Sequence, residues 1–114
     1  MFGLFKNATD RSVVDAHAAQ AEDGVIIVDV REPGEFAAEC IVGAVNMPLS
    51  RFEPGALSKL GEPARIILQC QSGMRSMNAL KLCRAAGIVV NGNLAGGISA
   101  WKAAGLPTVR GGTR

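Results

Sequence analysis

Two short apolar runs constrain the fold of this chain more than any other feature. Residues 25–30 read Val-Ile-Ile-Val-Asp-Val, and residues 65–69 read Arg-Ile-Ile-Leu-Gln. The first run is apolar on both faces, which is typical of a parallel strand that is covered on both sides. Segments with helical signals alternate with these runs, and the sequence has no internal repeat or interdomain linker. The pattern predicts one α/β domain with a mainly parallel sheet.

Caps and turn residues mark the other predicted elements. Ser12 and Asp15 have capping-box spacing, and Pro33 fits the first turn of a short helix. Helices are predicted over residues 12–22, 33–39, 54–60, 76–86 and 98–104. Besides the two apolar runs, short strands are predicted at residues 44–47 and 88–90. The predicted domain runs from residue 10 to residue 107, between a lead-in of residues 1–9 and a loose C-terminal tail of residues 108–114.

Composition and targeting signals exclude several classes of partner. The net charge of +2 is too small to argue for nucleic acid, and an aromatic content of 4% offers no stacking platform for bases. The N-terminus lacks the apolar stretch and cleavage site of a secretory signal. No apolar run approaches the roughly 20 residues that span a bilayer. We therefore expect a cytoplasmic protein that binds neither nucleic acid nor membrane.

The three cysteines are Cys40, Cys70 and Cys83, an odd number that rules out a complete disulfide framework. None belongs to a C-x-x-C pair and the chain has one histidine, so a zinc site is not expected. Thiol chemistry in a reducing compartment is the better interpretation, and no metal or organic cofactor is expected.

Residues 70–76, Cys-Gln-Ser-Gly-Met-Arg-Ser, join the second apolar run to the predicted helix at 76–86. Backbone N–H groups in such a loop and the positive end of the following helix form a cradle for an anion. A cysteine there should be a thiolate near neutral pH, because the cradle stabilises the charged form. Ligand sites in such sheets lie at the carboxyl ends of strands. Cys70 is therefore predicted to be a nucleophile in an anion-binding loop.

The rest of this loop is predicted to bind or shape the anion site. Arg75 can steer an anionic donor by charge and hydrogen bonds, or it can only brace the loop. Gly73 is expected to supply a backbone conformation that other residues adopt at a cost. Ser72 can shape the turn or contact substrate, and Gln71 and Met74 can point at the pocket mouth.

Several other residues receive a structural interpretation. Asp29 and Arg31 are expected to make supporting hydrogen bonds near the site rather than to act as catalytic charges. Cys83 is expected to pack in the core, and Trp101 to anchor the last helix. His17 is expected to be an exposed surface histidine.

Four stretches, in order, resemble the rhodanese homology domain. They read VDVREPGEF, IVGAVNMPL, CQSGMRS and NLAGGISAW, at residues 28–36, 41–49, 70–76 and 93–101. They are similar to the family's "DVRE..EF" signature, its "I.GA.N.P" segment, its active-site loop and its "L.GG...W" ending. The resemblance spans about residues 10–107 and is closest to the small single-domain sulfurtransferases of bacteria.

This resemblance implies a five-stranded, mainly parallel sheet flanked by helices, and a Cys70 that accepts a sulfane sulfur and passes it on. The family's sulfurtransferases have a six-residue loop and its phosphatases a seven-residue loop. Cys70 to Arg75 is six residues, which favours sulfur. One departure is Glu39-Cys40, where the family commonly has Gly-His, with Val42 where proline is usual. Cys40 is expected to be a small core filler rather than a second reactive thiol.

The resemblance thus implies a sulfurtransferase that uses no cofactor. Its donor would be a small sulfur-containing anion such as thiosulfate, and its acceptor cyanide or a thiol. One alternative is a protein persulfide carrier in a sulfur relay, whose partner is another protein. A small-oxyanion enzyme acting on arsenate or phosphate, and a non-catalytic binding module, are disfavoured by the loop length and by Cys70 respectively.

Overall fold

A five-stranded parallel sheet forms the centre of the structure, a computed structural model that describes residues 9–111. The strands are β1 (Asp10–Arg11), β2 (Ile26–Asp29), β3 (Cys40–Ile41), β4 (Val45–Asn46), β5 (Ile66–Gln69), β6 (Gly92–Leu94) and β7 (Thr108–Val109). The helices are α1 (Val13–Glu22), α2 (Pro33–Ala38), α3 (Met74–Ala85) and α4 (Gly97–Ala103). The main sheet has the order β1-β6-β5-β2-β4, and β3 and β7 form a separate antiparallel pair. The predicted fold class is confirmed.

Helices cover both faces of this sheet, which explains the continuous apolar runs. Successive side chains of a strand point to opposite faces. Ile27 and Ile67 therefore pack on one side with residues of α1 and α4, including Trp101. Val28 and Leu68 pack on the other side with residues of α3. The two central strands β2 and β5 pair over four residues each, so they hold the middle of the domain.

The helix signals work as predicted, with shifts at some ends. Ser12 caps α1, its Oγ accepting a hydrogen bond of 3.1 Å from the Asp15 N–H. Glu32 and Glu35 form a capping box at α2, whose first residue is Pro33. The segment Pro54–Lys59 is a 3-10 helix rather than an α-helix. Helix α3 begins at Met74, two residues earlier than predicted, so the end of the Cys70 loop is its first turn.

One strand prediction was wrong. Residues 88–90 do not pair; Ile88 N–H donates to Cys83 O at 2.8 Å and closes the end of α3. The strand is Gly92–Leu94 instead. A Cβ atom at Gly92 would lie 2.3 Å from Thr9 O. The backbone just before β1 therefore approaches position 92 too closely for any residue larger than glycine.

The C-terminal segment also differs from the predicted loose tail. Thr108–Val109 pair with Cys40–Ile41, and the Trp101 indole N–H donates to Pro107 O at 2.8 Å. Residues 1–8 of the predicted lead-in and residues 112–114 of the predicted tail lie outside the described residues. No helix between residues 9 and 111 combines the length and the apolar character that crossing a membrane requires.

Candidate active site

Cys70 follows the last residue of β5 and is only 1% exposed. Its Sγ accepts a hydrogen bond from the Gly73 N–H at 3.1 Å and one from the Ser76 hydroxyl at 3.4 Å. Gly73 lies in the left-handed region with φ +114°, as the sequence predicted for a residue that other side chains would strain. This turn directs its N–H groups at the sulfur.

The surroundings of Cys70 lower the pKa of its thiol and so shift it toward the thiolate. Burial is the largest single influence and raises the pKa of the thiol. The Ser76 hydroxyl and the backbone N–H groups of Ser76, Gly73 and Ser72 oppose it, and together they lower the pKa of Cys70 below its ordinary value. Within the described part of the chain no such donor lowers the pKa of Cys83, and burial raises it. The three cysteines of the chain are all buried, and the sequence prediction that Cys40 and Cys83 fill the core is confirmed.

Backbone hydrogen bonds join the start of helix α4 to the Cys70 loop. The Ile98 N–H donates to Cys70 O at 2.9 Å, and the Ser99 N–H donates to Gln71 O at 3.1 Å. A Cβ atom on Gly97 would lie 2.3 Å from Cys70 O, and its φ is +59°. Glycine at this position is therefore required both by the backbone conformation and by the close approach of the two segments.

Both polar atoms of the Gln71 side-chain amide are hydrogen-bonded. Its Nε2 donates to Ser99 Oγ at 2.9 Å, and its Oε1 accepts from Arg31 Nη1 at 3.5 Å. Arg31 is itself held by a buried ion pair with Asp29 at 2.8 Å, and it also donates to Glu39 O. The structure thus brings Asp29 and Arg31 to the loop and places them in a hydrogen-bond network that supports it.

Arg75 forms a bidentate ion pair with Glu35 of α2. Its two terminal nitrogens lie 2.7 and 3.0 Å from the carboxylate oxygens. The hydrogen bond from Arg75 is the largest influence on Glu35 and lowers the pKa of that carboxyl to about 2. Both side chains are over one-third exposed. Sequence reasoning gave Glu35 no role at the site, although this residue lies in the VDVREPGEF stretch that carries the family resemblance.

Ser76 and Asn93 extend the site behind the sulfur. The buried Ser76 hydroxyl has one proton and three acceptors: Cys70 Sγ, Gly73 O at 3.3 Å and Asn93 Oδ1 at 2.5 Å. Asn93 Nδ2 in turn donates to Asp10 Oδ1 at 3.4 Å, so β1 orients the amide. Sequence reasoning assigned neither residue a role. Asn93 begins the NLAGGISAW stretch at residues 93–101, but that resemblance implied no role for its side chain.

The remaining loop side chains face a groove beside α3. Ser72, Gly73 and Met74 line one part of this groove of about 400 Å³, and Asp10 and Lys81 line other parts. Met74 is 79% exposed, as expected for a residue at the pocket mouth.

Outside the site, Trp101 is fully buried in the core, as predicted. The prediction of an exposed His17 was wrong. His17 is partly buried and packs edge-on against Trp101, with ring centroids 5.4 Å apart.

The fold and the site together define an α/β domain with a cysteine-centred loop of converging N–H donors. A family model described as Rhodanese-like domain matches residues 12–104. The chain therefore belongs to the rhodanese-like domain family, as its four sequence stretches predicted.

Comparisons with individual proteins agree with this family. A sulfurtransferase of Allochromatium vinosum is 34% identical over 103 residues, which cover 90% of this chain and 94% of that protein. An uncharacterized protein of Synechocystis sp. is 51% identical over 89 residues, or 78% of this chain, but the match spans about half (49%) of that protein's length. The rhodanese-like domain solved by NMR from Anabaena sp. has a TM-score of 0.75 at 28% identity, covering 90% of this chain and 79% of that one.

Proposed function

We propose that the protein moves a sulfane sulfur from a donor such as thiosulfate to a thiophilic acceptor, cyanide or a thiol, through a persulfide on Cys70. The observation that carries this proposal is the set of hydrogen bonds that Cys70 Sγ accepts from Gly73 and Ser76. Membership of a family with sulfurtransferase relatives supports the same chemistry.

In the first half of the reaction, the Cys70 thiolate attacks the outer sulfur of thiosulfate. The sulfur–sulfur bond of the donor breaks, and sulfite leaves with its electron pair. No general base is needed if the thiolate is already formed, and the lowered pKa of Cys70 acts in that direction. The product, Cys70–S–S⁻, carries its charge on the added sulfur, where converging loop N–H groups would stabilise it as they would an oxyanion.

In the second half, the acceptor attacks the terminal sulfur and Cys70 leaves as the thiolate, ready for another cycle. The donor first transfers its sulfur to Cys70, and the acceptor then removes that sulfur from Cys70. Two such successive steps at one residue give ping-pong kinetics. A protein persulfide carrier would follow the same steps with a protein as partner. A phosphatase or arsenate reductase activity is less well supported, because the loop from Cys70 to Arg75 has the six residues that resemble the sulfurtransferases.

Intact-mass spectrometry tests the proposal. Incubation with thiosulfate should give a species heavier by one sulfur, and peptide mapping should place that sulfur on Cys70. Cys70→Ser should abolish the adduct, while Cys83→Ala, a matched control on a buried cysteine outside the loop, should retain it. An adduct that survives in Cys70→Ser, or that maps to Cys40 or Cys83, would refute the assignment of the nucleophile.

A further inference from the structure

The two arginines at the loop are both neutralised by carboxylates, one at the end of β2 and one in α2. Arg31, which contacts Gln71, forms its buried ion pair with Asp29. Arg75, the last residue of the six-residue loop, forms its bidentate pair with Glu35. A fork-to-fork pair of this kind uses both terminal nitrogens of the guanidinium, the same donors that would grip a planar or tetrahedral anion.

The charge balance at the loop follows from these pairs. Each of the two ion pairs has no net charge. The Cys70 thiolate therefore leaves one net negative charge beside the incoming donor. Gln71 adds no charge, and Lys81 in the neighbouring groove is accompanied by Asp10. A dianion such as thiosulfate therefore meets repulsion from the nucleophile, with both nearby guanidinium groups already occupied.

We infer that Glu35 is a specificity-determining residue: by occupying Arg75, it makes the site favour sulfur donors of low charge, such as organic hydropersulfides, over dianionic thiosulfate. The inference rests on the proposed persulfide on Cys70 and names the class of donor that loads it. In that step, the Cys70 thiolate attacks the outer sulfur of R–S–SH. The S–S bond of the donor breaks, the thiolate RS⁻ leaves with the electron pair, and Cys70 becomes the hydropersulfide Cys70–S–SH.

Glu35→Gln is the variant that isolates this effect. The glutamine keeps an oxygen that can accept the hydrogen bond that the Glu32 N–H gives to Glu35 Oε1, so α2 retains its cap. It removes the negative charge that holds Arg75. The matched control is Glu39→Gln, which removes the same charge from an ion pair with Lys102 that does not involve the loop.

The measurement compares kcat/KM for thiosulfate, a dianion, with that for the hydropersulfide of 2-mercaptoethanol, which carries at most one negative charge and is generated in situ. In Glu35→Gln we expect the value for thiosulfate to rise about tenfold, the factor for one gained charge-assisted hydrogen bond. The value for the hydropersulfide should stay within about twofold. Adding Arg75→Gln to the Glu35→Gln variant should remove the gain, because the released guanidinium is its cause.

Three results would overturn the inference. Equal changes for both donors in Glu35→Gln would make Glu35 a structural brace of the loop. An equal gain for thiosulfate in Glu39→Gln would assign the effect to net charge rather than to Arg75. No change with thiosulfate in a variant of unaltered melting temperature would show that Arg75 is not what excludes the dianion. The absence of a Cys70 persulfide with either donor, in the unmodified protein, would instead refute the proposed function itself and this inference with it.

Discussion

Replacing Ser76 with alanine should raise the pKa of Cys70, because it removes the one side-chain donor to the sulfur found among residues 9–111. The hydroxyl lies 3.4 Å from Sγ and is buried, so water does not readily replace it. A hydrogen bond to a charged group is worth about 1.5–3 kcal/mol. The Ser76 proton is shared with the nearer Asn93 Oδ1, which places the effect at the low end of that range. Since one pKa unit is about 1.4 kcal/mol, we expect a rise of about one unit.

The sign of the pH dependence follows from the direction of the shift. The thiolate is the attacking form, so below both pKa values the reactive fraction of Cys70 falls about tenfold for each unit of increase. Sulfur transfer by Ser76→Ala should therefore be slower at low and neutral pH and should recover toward the original rate as the pH rises. A merely structural defect would instead lower the rate at every pH.

The assay is the rate of alkylation of Cys70 by iodoacetamide as a function of pH, followed on the peptide that contains Cys70. Following that peptide excludes any signal from the other two cysteines, which are also buried. Ser76→Thr restores a hydroxyl and should restore most of the original midpoint. An unchanged or lower midpoint in Ser76→Ala, with an intact melting temperature, would refute the reasoning. It would mean that the hydroxyl donates to Asn93 even when Cys70 is ionised.

Three further predictions concern the supports of the loop. Gly97→Ala places a Cβ 2.3 Å from a carbonyl oxygen at positive φ, and should destabilise the fold by at least about 2 kcal/mol in urea unfolding. Gly55→Ala, with nothing within 4 Å, is the control and should stay within about 1 kcal/mol; equal effects would contradict the steric argument. Asp29→Asn leaves the buried Arg31 charge uncompensated and should cost about 3–5 kcal/mol by the same measurement, whereas a loss below about 1 kcal/mol would show that the charge finds another partner. Inserting one glycine after Gly73 should widen the cradle and sharply reduce thiosulfate turnover at unchanged far-UV circular dichroism; unaltered turnover would show that loop length does not tune the site for sulfur.

The parts of the fold that the sequence predicted well are those with a strong local signal. The runs at residues 25–30 and 65–69 became β2 and β5, because an apolar run is buried wherever both faces of the sheet are covered. The Cys70 loop was located for a similar reason. It lies between a clear strand and a clear helix, and glycine at position 73 marks the turn.

The parts that failed depend on contacts between distant segments. The β-branched residues at 88–90 favoured a strand, yet pairing falls at Gly92–Leu94, where a glycine admits the neighbouring β1. Likewise, the ion pair between Arg75 and Glu35 joins residues 40 positions apart, and nothing in either local sequence reports it. A single sequence shows which residues carry charge, but it does not show which charges neutralise one another.

The attachment of the Cys70 loop to α4 also bears on the synthesis of the chain. The carbonyl groups of Cys70 and Gln71 are held by the N–H groups of Ile98 and Ser99, which are added to the chain 28 residues later. A nascent chain that has emerged only through α3 contains the cysteine but not the segment that fixes its loop. Because a domain folds as a unit as it emerges from the ribosome, the hydrogen-bonded loop around Cys70 forms only when nearly the whole domain is present. The surroundings that lower the pKa of Cys70 are thus assembled late, together with the core that buries it.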